Sequence, residues 1–177
     1  EKNDNSENLN YGKIKPSIGL GVNTELTKTL SLELTLNPDF SQVEADVTRI
    51  DANSSYSLSY PEKRPFFNYG VDILKLNSND LQPFYSRSIN DPLYALKILN
   101  QGKSSRFLLL SSLDRNSPYL IAGNDKSYFG EGGKSLINIL RYQHLLGKGS
   151  KIGLLSSSRI YNGGGYGNLF GFDGLNT

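Results

Sequence analysis

The chain has no cysteine, no methionine and no tryptophan, and it has a single histidine. Without thiols it cannot form disulfides, hold zinc through thiolates or use a cysteine nucleophile. The absence of cysteine also suits a protein that crosses an oxidising periplasm. With one imidazole, any Ser-His-Asp arrangement would have to run through His144, and no Gly-x-Ser-x-Gly elbow supplies the nucleophile. Excess charge is scarce: 19 Lys and Arg face 17 Asp and Glu, giving a net charge of +2. The two signs are interspersed and there is no basic tract, so nucleic acid is not an expected partner. The longest apolar stretch, around Arg106–Leu113, falls far short of the roughly 18 residues of a transmembrane helix. That excludes a helical span but not a membrane β-barrel, whose strands are weakly apolar on average. The first residues carry neither a starting Met nor a signal-peptide pattern, so the chain reads as a processed or excised piece.

What is present points to strands. Gly is abundant at 18 residues, and 11 Tyr with 8 Phe supply all the aromatics. Together with plentiful Ser, Asn and Leu, this bias suits short strands joined by turns better than helices. Residues 1–13 are polar and without period, and read as a flexible lead-in. From Ile14 the pattern has period two: Ile14, Pro16, Ile18, Leu20 and Val22 share one face, with Lys15, Ser17, Gly19, Gly21 and Asn23 on the other. After a polar turn at Thr27 and Lys28, Leu30, Leu32, Leu34 and Leu36 repeat the alternation, so the two runs predict a β-hairpin. Further strands are expected at Tyr56–Tyr60, Tyr94–Ile98, Arg106–Leu113, Leu136–His144 and Ser150–Ile160, with a short apolar piece at Pro118–Ala122. Residues 123–134 are expected to be a polar, Gly-rich loop, and the tail from Tyr161 a mixture of Gly, Asn and aromatics. Residues 14–177 therefore predict one all-β segment of roughly seven to nine strands in an antiparallel sheet, closed or rolled up. Period two alone does not say whether the leucines face a soluble core or acyl chains.

The stretch from Asn37 to Pro92 interrupts the alternation and concentrates the polar chemistry. Asn37-Pro38-Asp39 is a turn initiator. Asp39, Glu44, Asp46 and Asp51 then crowd carboxylates together. Such a cluster could take calcium or hold a glycosidase-like carboxylate pair, but the EF-hand spacing and its glycine are missing. The alternative is a polar network with Arg49, Lys63, Arg64 and Arg87. Glu62, Lys63 and Arg64 lie between Pro61 and Pro65, where neither a helix nor a central strand is comfortable. Charges in a narrow interior must be paired, which makes this segment a candidate ion-paired plug or inner-wall element. A basic substrate-binding patch is the other reading. Gly163 to Gly167 lacks the Lys-Ser/Thr of a phosphate loop and reads as a turn. Tyr56, Tyr60, Phe66, Phe67, Tyr69, Phe84, Tyr85, Tyr94, Tyr119 and Tyr128 cluster near strand ends, as an interfacial girdle, a glycan-stacking groove or an ordinary core would have them.

Three motifs in order, NPDFSQVEAD (Asn37–Asp46), YPEKRPFF (Tyr60–Phe67) and FYSRSI (Phe84–Ile89), resemble a family of large Gram-negative outer-membrane β-barrel proteins. That family is a domain of unknown function, usually preceded by a domain similar to family-9 carbohydrate-binding modules. The hairpin before the first motif fits the same pattern. Asn68-Tyr69-Gly70 stands where the family usually has Glu-Gly, and Arg87-Ser88-Ile89-Asn90 where it has Arg-Arg-Ile-Gly. The resemblance implies the N-terminal portion of a larger antiparallel transmembrane barrel in the cell outer membrane. The expected role is non-enzymatic and structural or transport-related at the cell surface. Lipid, and other outer-membrane or periplasmic proteins, are the expected partners, with no cofactor, no catalytic residue and no metal. Asp39, Glu44, Asp46, Glu62, Lys63, Arg64 and Arg87 are expected to form a polar lumen network. The competing readings are a β domain that binds glycan on an aromatic face, and a surface hydrolase using the acidic residues.

Overall fold

The computed structural model describes residues 18–39, 62–76, 84–122 and 127–176. Its framework is one antiparallel seven-stranded sheet. The chain enters through β1 (Leu20–Glu25) and β2 (Leu30–Leu36), the predicted hairpin, in register from Leu20 opposite Leu36 to Glu25 opposite Ser31. At its turn the Thr27 hydroxyl accepts from the backbone N–H groups of Thr29 and Leu30. The sheet continues with β3 (Pro92–Gln101) and β4 (Ser105–Asp114). A separate hairpin follows, β5 (Pro118–Ala122) with β6 (Ser127–Glu131). The chain then returns beside β4 as β7 (Ser135–Gly147), and β8 (Ser150–Tyr161) and β9 (Tyr166–Leu175) complete the sheet in the order β1-β2-β3-β4-β7-β8-β9.

The tight turns follow from residues that tolerate positive φ. Gly147, Lys148 and Gly149, all at φ between 51° and 88°, reverse the chain from β7 to β8, as their spacing predicted. Gly164 and Gly165 at φ near 98° do the same between β8 and β9. Two expectations change here. Residues 123–134 contain a strand, β6, and the tail after Tyr161 is a turn followed by the ten-residue strand β9. In β9 the glycines at 167, 171 and 174 dilute the apolar pattern, but Tyr166, Phe170 and Phe172 still stand on alternate positions, and a neighbouring strand supplies the pairing that composition alone obscures. The predicted strand at Tyr56–Tyr60 and the start of the first strand at Ile14 lie outside the described residues.

The sheet is not closed: β1 and β9 are its edges. Neighbours in the order are antiparallel throughout, so the first and seventh strands run in the same direction and cannot pair antiparallel with each other. The fold is thus all-β with very little helix. Among the described residues no helix is long and apolar enough to cross a membrane.

The described part of the segment between β2 and β3, residues 62–76 and 84–91, lies against one face of the sheet, which we call the inner face. Its Pro65–Asn68 forms a single helical turn, α1, started by proline, and 3-10 turns follow at Val71–Leu74 and Ser86–Ser88. Phe67, Ile73, Leu74 and Ile89 from this segment pack on Leu99, Leu108, Leu110, Ile137, Ile139 and Leu155 from the sheet, and this is the core. Gly70, at φ 75°, passes so close to the Leu99 side chain that a Cβ there would collide with it.

Candidate functional site

Strand register sorts the sheet into two faces of opposite chemistry. The inner face carries Glu25, Glu33, Lys97, Arg106, Asp114, Arg141, Lys151, Arg159 and Asp173. The outer face, followed row by row, carries Leu36, Tyr94, Leu113, Leu136, Ile160 and Tyr166, and then Leu32, Ile98, Leu109, Leu140, Ser156 and Phe170. Across the seven strands no Asp, Glu, Lys or Arg stands on that outer face. Several inner charges are nevertheless the buried ones: Lys97 is 1% exposed, Arg141 and Asp114 are 0%, and Phe172 on the outer face is 83%.

The buried charges are tolerated because each meets a partner. Lys97 lies directly opposite Glu33 across β2 and β3, and its Nζ sits 3.0 Å from the Glu33 carboxylate. The same ammonium donates to the main-chain oxygens of Phe66 (2.6 Å) and Tyr69 (2.9 Å), at the C-terminal end of α1. The Phe66 and Tyr69 rings flank it at 4.9 and 5.3 Å. Arg141 donates through Nε to Ile73 O at 3.0 Å and grips the Asp173 carboxylate with both terminal nitrogens. This pair reaches diagonally over β8 at Gly153, where an added Cβ would lie within 2.8 Å of both partners. Arg159 donates to the carbonyl and hydroxyl of Ser88 at 3.0 and 2.8 Å. Three strands, β3, β7 and β8, thus each send a cation to main-chain carbonyls of the inner segment.

Within the segment, Arg64 joins two stretches. Its guanidinium binds both oxygens of Glu62, donates to Ile89 O (2.6 Å) and Ser86 O (2.9 Å), and stacks 4.3 Å from the centre of the Phe67 ring. Glu62 also accepts from the Ser86 hydroxyl and from the Arg64 N–H. Burial alone would push the Glu62 carboxyl up, but the hydrogen bonds from Arg64 and Ser86 outweigh it and hold its pKa down at about 2. At one end of the sheet, Asp114 accepts from the N–H groups of Asn90 (3.0 Å) and Asp91 (2.6 Å) and from Ser117. Arg115 bridges Asp91 and Asn37 there.

Of the residues singled out in sequence, Glu62 and Arg64 are brought together, Arg87 is buried in the same segment, and Lys63 is exposed. Asp39 follows β2, away from that pair in sequence, while Glu44, Asp46, Asp51 and Arg49 lie outside the described residues. His144 is on the outer face opposite Ser105 and Ile152. Among the described residues no group of three His, Asp or Glu could hold a metal ion. Lys97, Glu33, Arg141, Asp173 and Arg159 were not singled out from sequence. Nothing local marked them, since Lys97 and Arg141 alternate with Leu99 and with Ile137 and Ile139 on their own side of the strand, and only register reveals that they converge.

The profile of a family described as a domain of unknown function (DUF5916) matches residues 2–104, more than half of the chain. No curated protein and no solved structure matches the chain.

Proposed function

Because the chain belongs to the DUF5916 family, whose function is unknown, its role has to come from its geometry, and we propose that its sheet is the N-terminal part of the wall of an outer-membrane β-barrel. In this reading the charge-free outer face meets acyl chains. The inner face lines a lumen, and residues 62–76 and 84–89 form a fixed layer inside it. The protein is non-enzymatic, located in the cell outer membrane, and serves a structural or transport-related role at the cell surface.

One observation carries the reading: the uncovered face of the sheet has no charged residue, while the covered face has nine. A soluble sheet packed on one side buries its apolar side chains and turns its charges to water. Here the covered face holds all nine charges beside its apolar core, and the uncovered face holds none, which is the charge distribution of a wall with lipid outside and a partly polar interior. Tyr94 and Tyr166 toward one end of the outer face, and Phe107 and Tyr142 toward the other, suit interfacial girdles. The anchored inner segment makes this stretch of lumen a filled one, so cargo would have to pass beside the layer rather than through it.

The test is extraction of the protein from membranes, with a gel of boiled and unboiled samples run alongside. The expected result is dependence on detergent, with an unboiled band that shifts on heating. A protein that stays soluble without detergent and shows no shift sinks the proposal.

A further inference from the structure

Three hairpin turns, residues 26–29, 102–104 and 148–149, lie at the same end of the sheet because its strands alternate in direction. Each carries one lysine, Lys28, Lys103 or Lys148, exposed among Leu, Thr, Ser and Gly and with no carboxylate in the turn. Successive turns are two strands apart, about 10 Å across the sheet. Backbone ease does not explain the third lysine: Lys148 has φ 51°, a conformation that glycine or asparagine adopts more readily. Near this end Asp72 pairs with Arg106 and Glu25 ends β1, while Lys151 adds a cation at the start of β8. The opposite end differs. Its hairpin turn, residues 162–165, is Asn and Gly, and Asp39, Asp91 and Asp114 stand there with Arg115 and Lys134.

We infer that Lys28, Lys103 and Lys148 form a cationic rim that contacts the phosphates of anionic lipid headgroups, an inference that rests on the barrel reading above. The outer face changes in step toward this rim. Leu30, Asn100, Phe107, Tyr142, Leu154 and Phe172 form one row across the strands. The next row outward holds Ser105, His144 and Ile152, and the lysine turns lie beyond it. Aromatic, then mixed, then cationic is the order that a membrane surface imposes between acyl chains and headgroups. The lysines stand two, three and six residues out from the aromatic row, counted from Leu30, Asn100 and Tyr142. A stagger of this size is what strands tilted by roughly 35–45° need for their turns to stand level. A lysine ammonium on a long apolar stem reaches a phosphate as a point charge, and a row of them adds to the attraction of an anionic surface.

The test folds the full chain into vesicles of phosphatidylcholine alone and into vesicles that also contain phosphatidylglycerol. Urea titrations compare the folding equilibrium constants in the two. The parent is expected to gain in the anionic vesicles, on the order of fivefold for each of the three lysines. Lys28→Gln, Lys103→Gln and Lys148→Gln combined are expected to abolish that gain. Lys28→Arg, Lys103→Arg and Lys148→Arg combined are expected to keep it, and both variants keep the heat-dependent gel shift. Because the readout is a difference between two lipids, a general loss of stability in a variant cancels. No gain in the parent, or an equal gain in the Gln variant, overturns the inference and leaves the barrel standing. So does inorganic phosphate that reproduces the gain in neutral vesicles, which assigns the row to a free anion. A chain that stays soluble without detergent or lipid and shows no gel shift overturns both.

Discussion

The inner and outer faces of this sheet are built from the same strands, often from adjacent residues, yet they place opposite demands on chemistry. Arg141 is fully buried, with its fork on Asp173 and its Nε on Ile73 O, while the residues on either side of it, Leu140 and Tyr142, are exposed on the other face. On the inner face a charge is acceptable only where carboxylates and carbonyls already wait for it. On the outer face size and apolarity suffice. The comparison teaches that hydrophobicity alone does not set burial in this protein: beside the apolar core, charged residues are buried wherever a partner is in place to receive them.

The sharpest way to break the contrast is to remove one buried charge. Arg141→Ala leaves Asp173 and the Ile73 carbonyl without their donor, and is expected to cost about 3–5 kcal/mol. Urea unfolding in micelles measures it, and a cost below about 1 kcal/mol would mean the pair is not the anchor described. One residue away, Leu140→Arg puts a charge on the other face. If lipid covers that face, insertion should lose about 2–4 kcal/mol in bilayers, whereas a water-facing site would change stability by less than about 0.5 kcal/mol. Folding equilibria in vesicles decide between the two.

The acid limb of stability sharpens the inner side further. The Glu62 pKa is about 2 when folded against an ordinary 4.5, so its contribution is fully present above pH 4.5 and is lost as pH falls toward 2. The stabilisation at stake is at most about 3 kcal/mol. Glu62→Gln should flatten that limb of the stability profile, and an unchanged profile would show that other carboxylates control it. Gly153→Ala is expected to push the Arg141–Asp173 pair off its path over β8 at about 1–3 kcal/mol. The smallest effect is expected at Lys63→Ala, within about 0.5 kcal/mol, because that residue is exposed although it sits between Glu62 and Arg64 in sequence.

Much of the architecture was legible in the residues. The leucine alternation in β1 and β2 and the turn at Gly147-Lys148-Gly149 each led to the element observed, whereas the Pro-bounded stretch, where no helix was expected, starts a helical turn at Pro65. β6 and β9 were not legible, since glycine-rich strands look like loops until a neighbour pairs with them. For the candidate site, local ionic character pointed to Glu62 and Arg64, whose partners are two residues apart. It could not point to Lys97 with Glu33, or Arg141 with Asp173, which are far apart in the chain.

By itself, the sequence determined the period of two, the positions of most turns and the absence of thiol chemistry, because these depend on local sterics and on which side chains exist at all. Only the tertiary structure decided which side of the alternation is buried, since period two is symmetric between the faces and a segment must settle on one of them to break that symmetry. It also decided which charges pair. Register across β2–β3 and β7–β8–β9 brings those groups within reach, and register is a property of strands assembled together, not of any one strand.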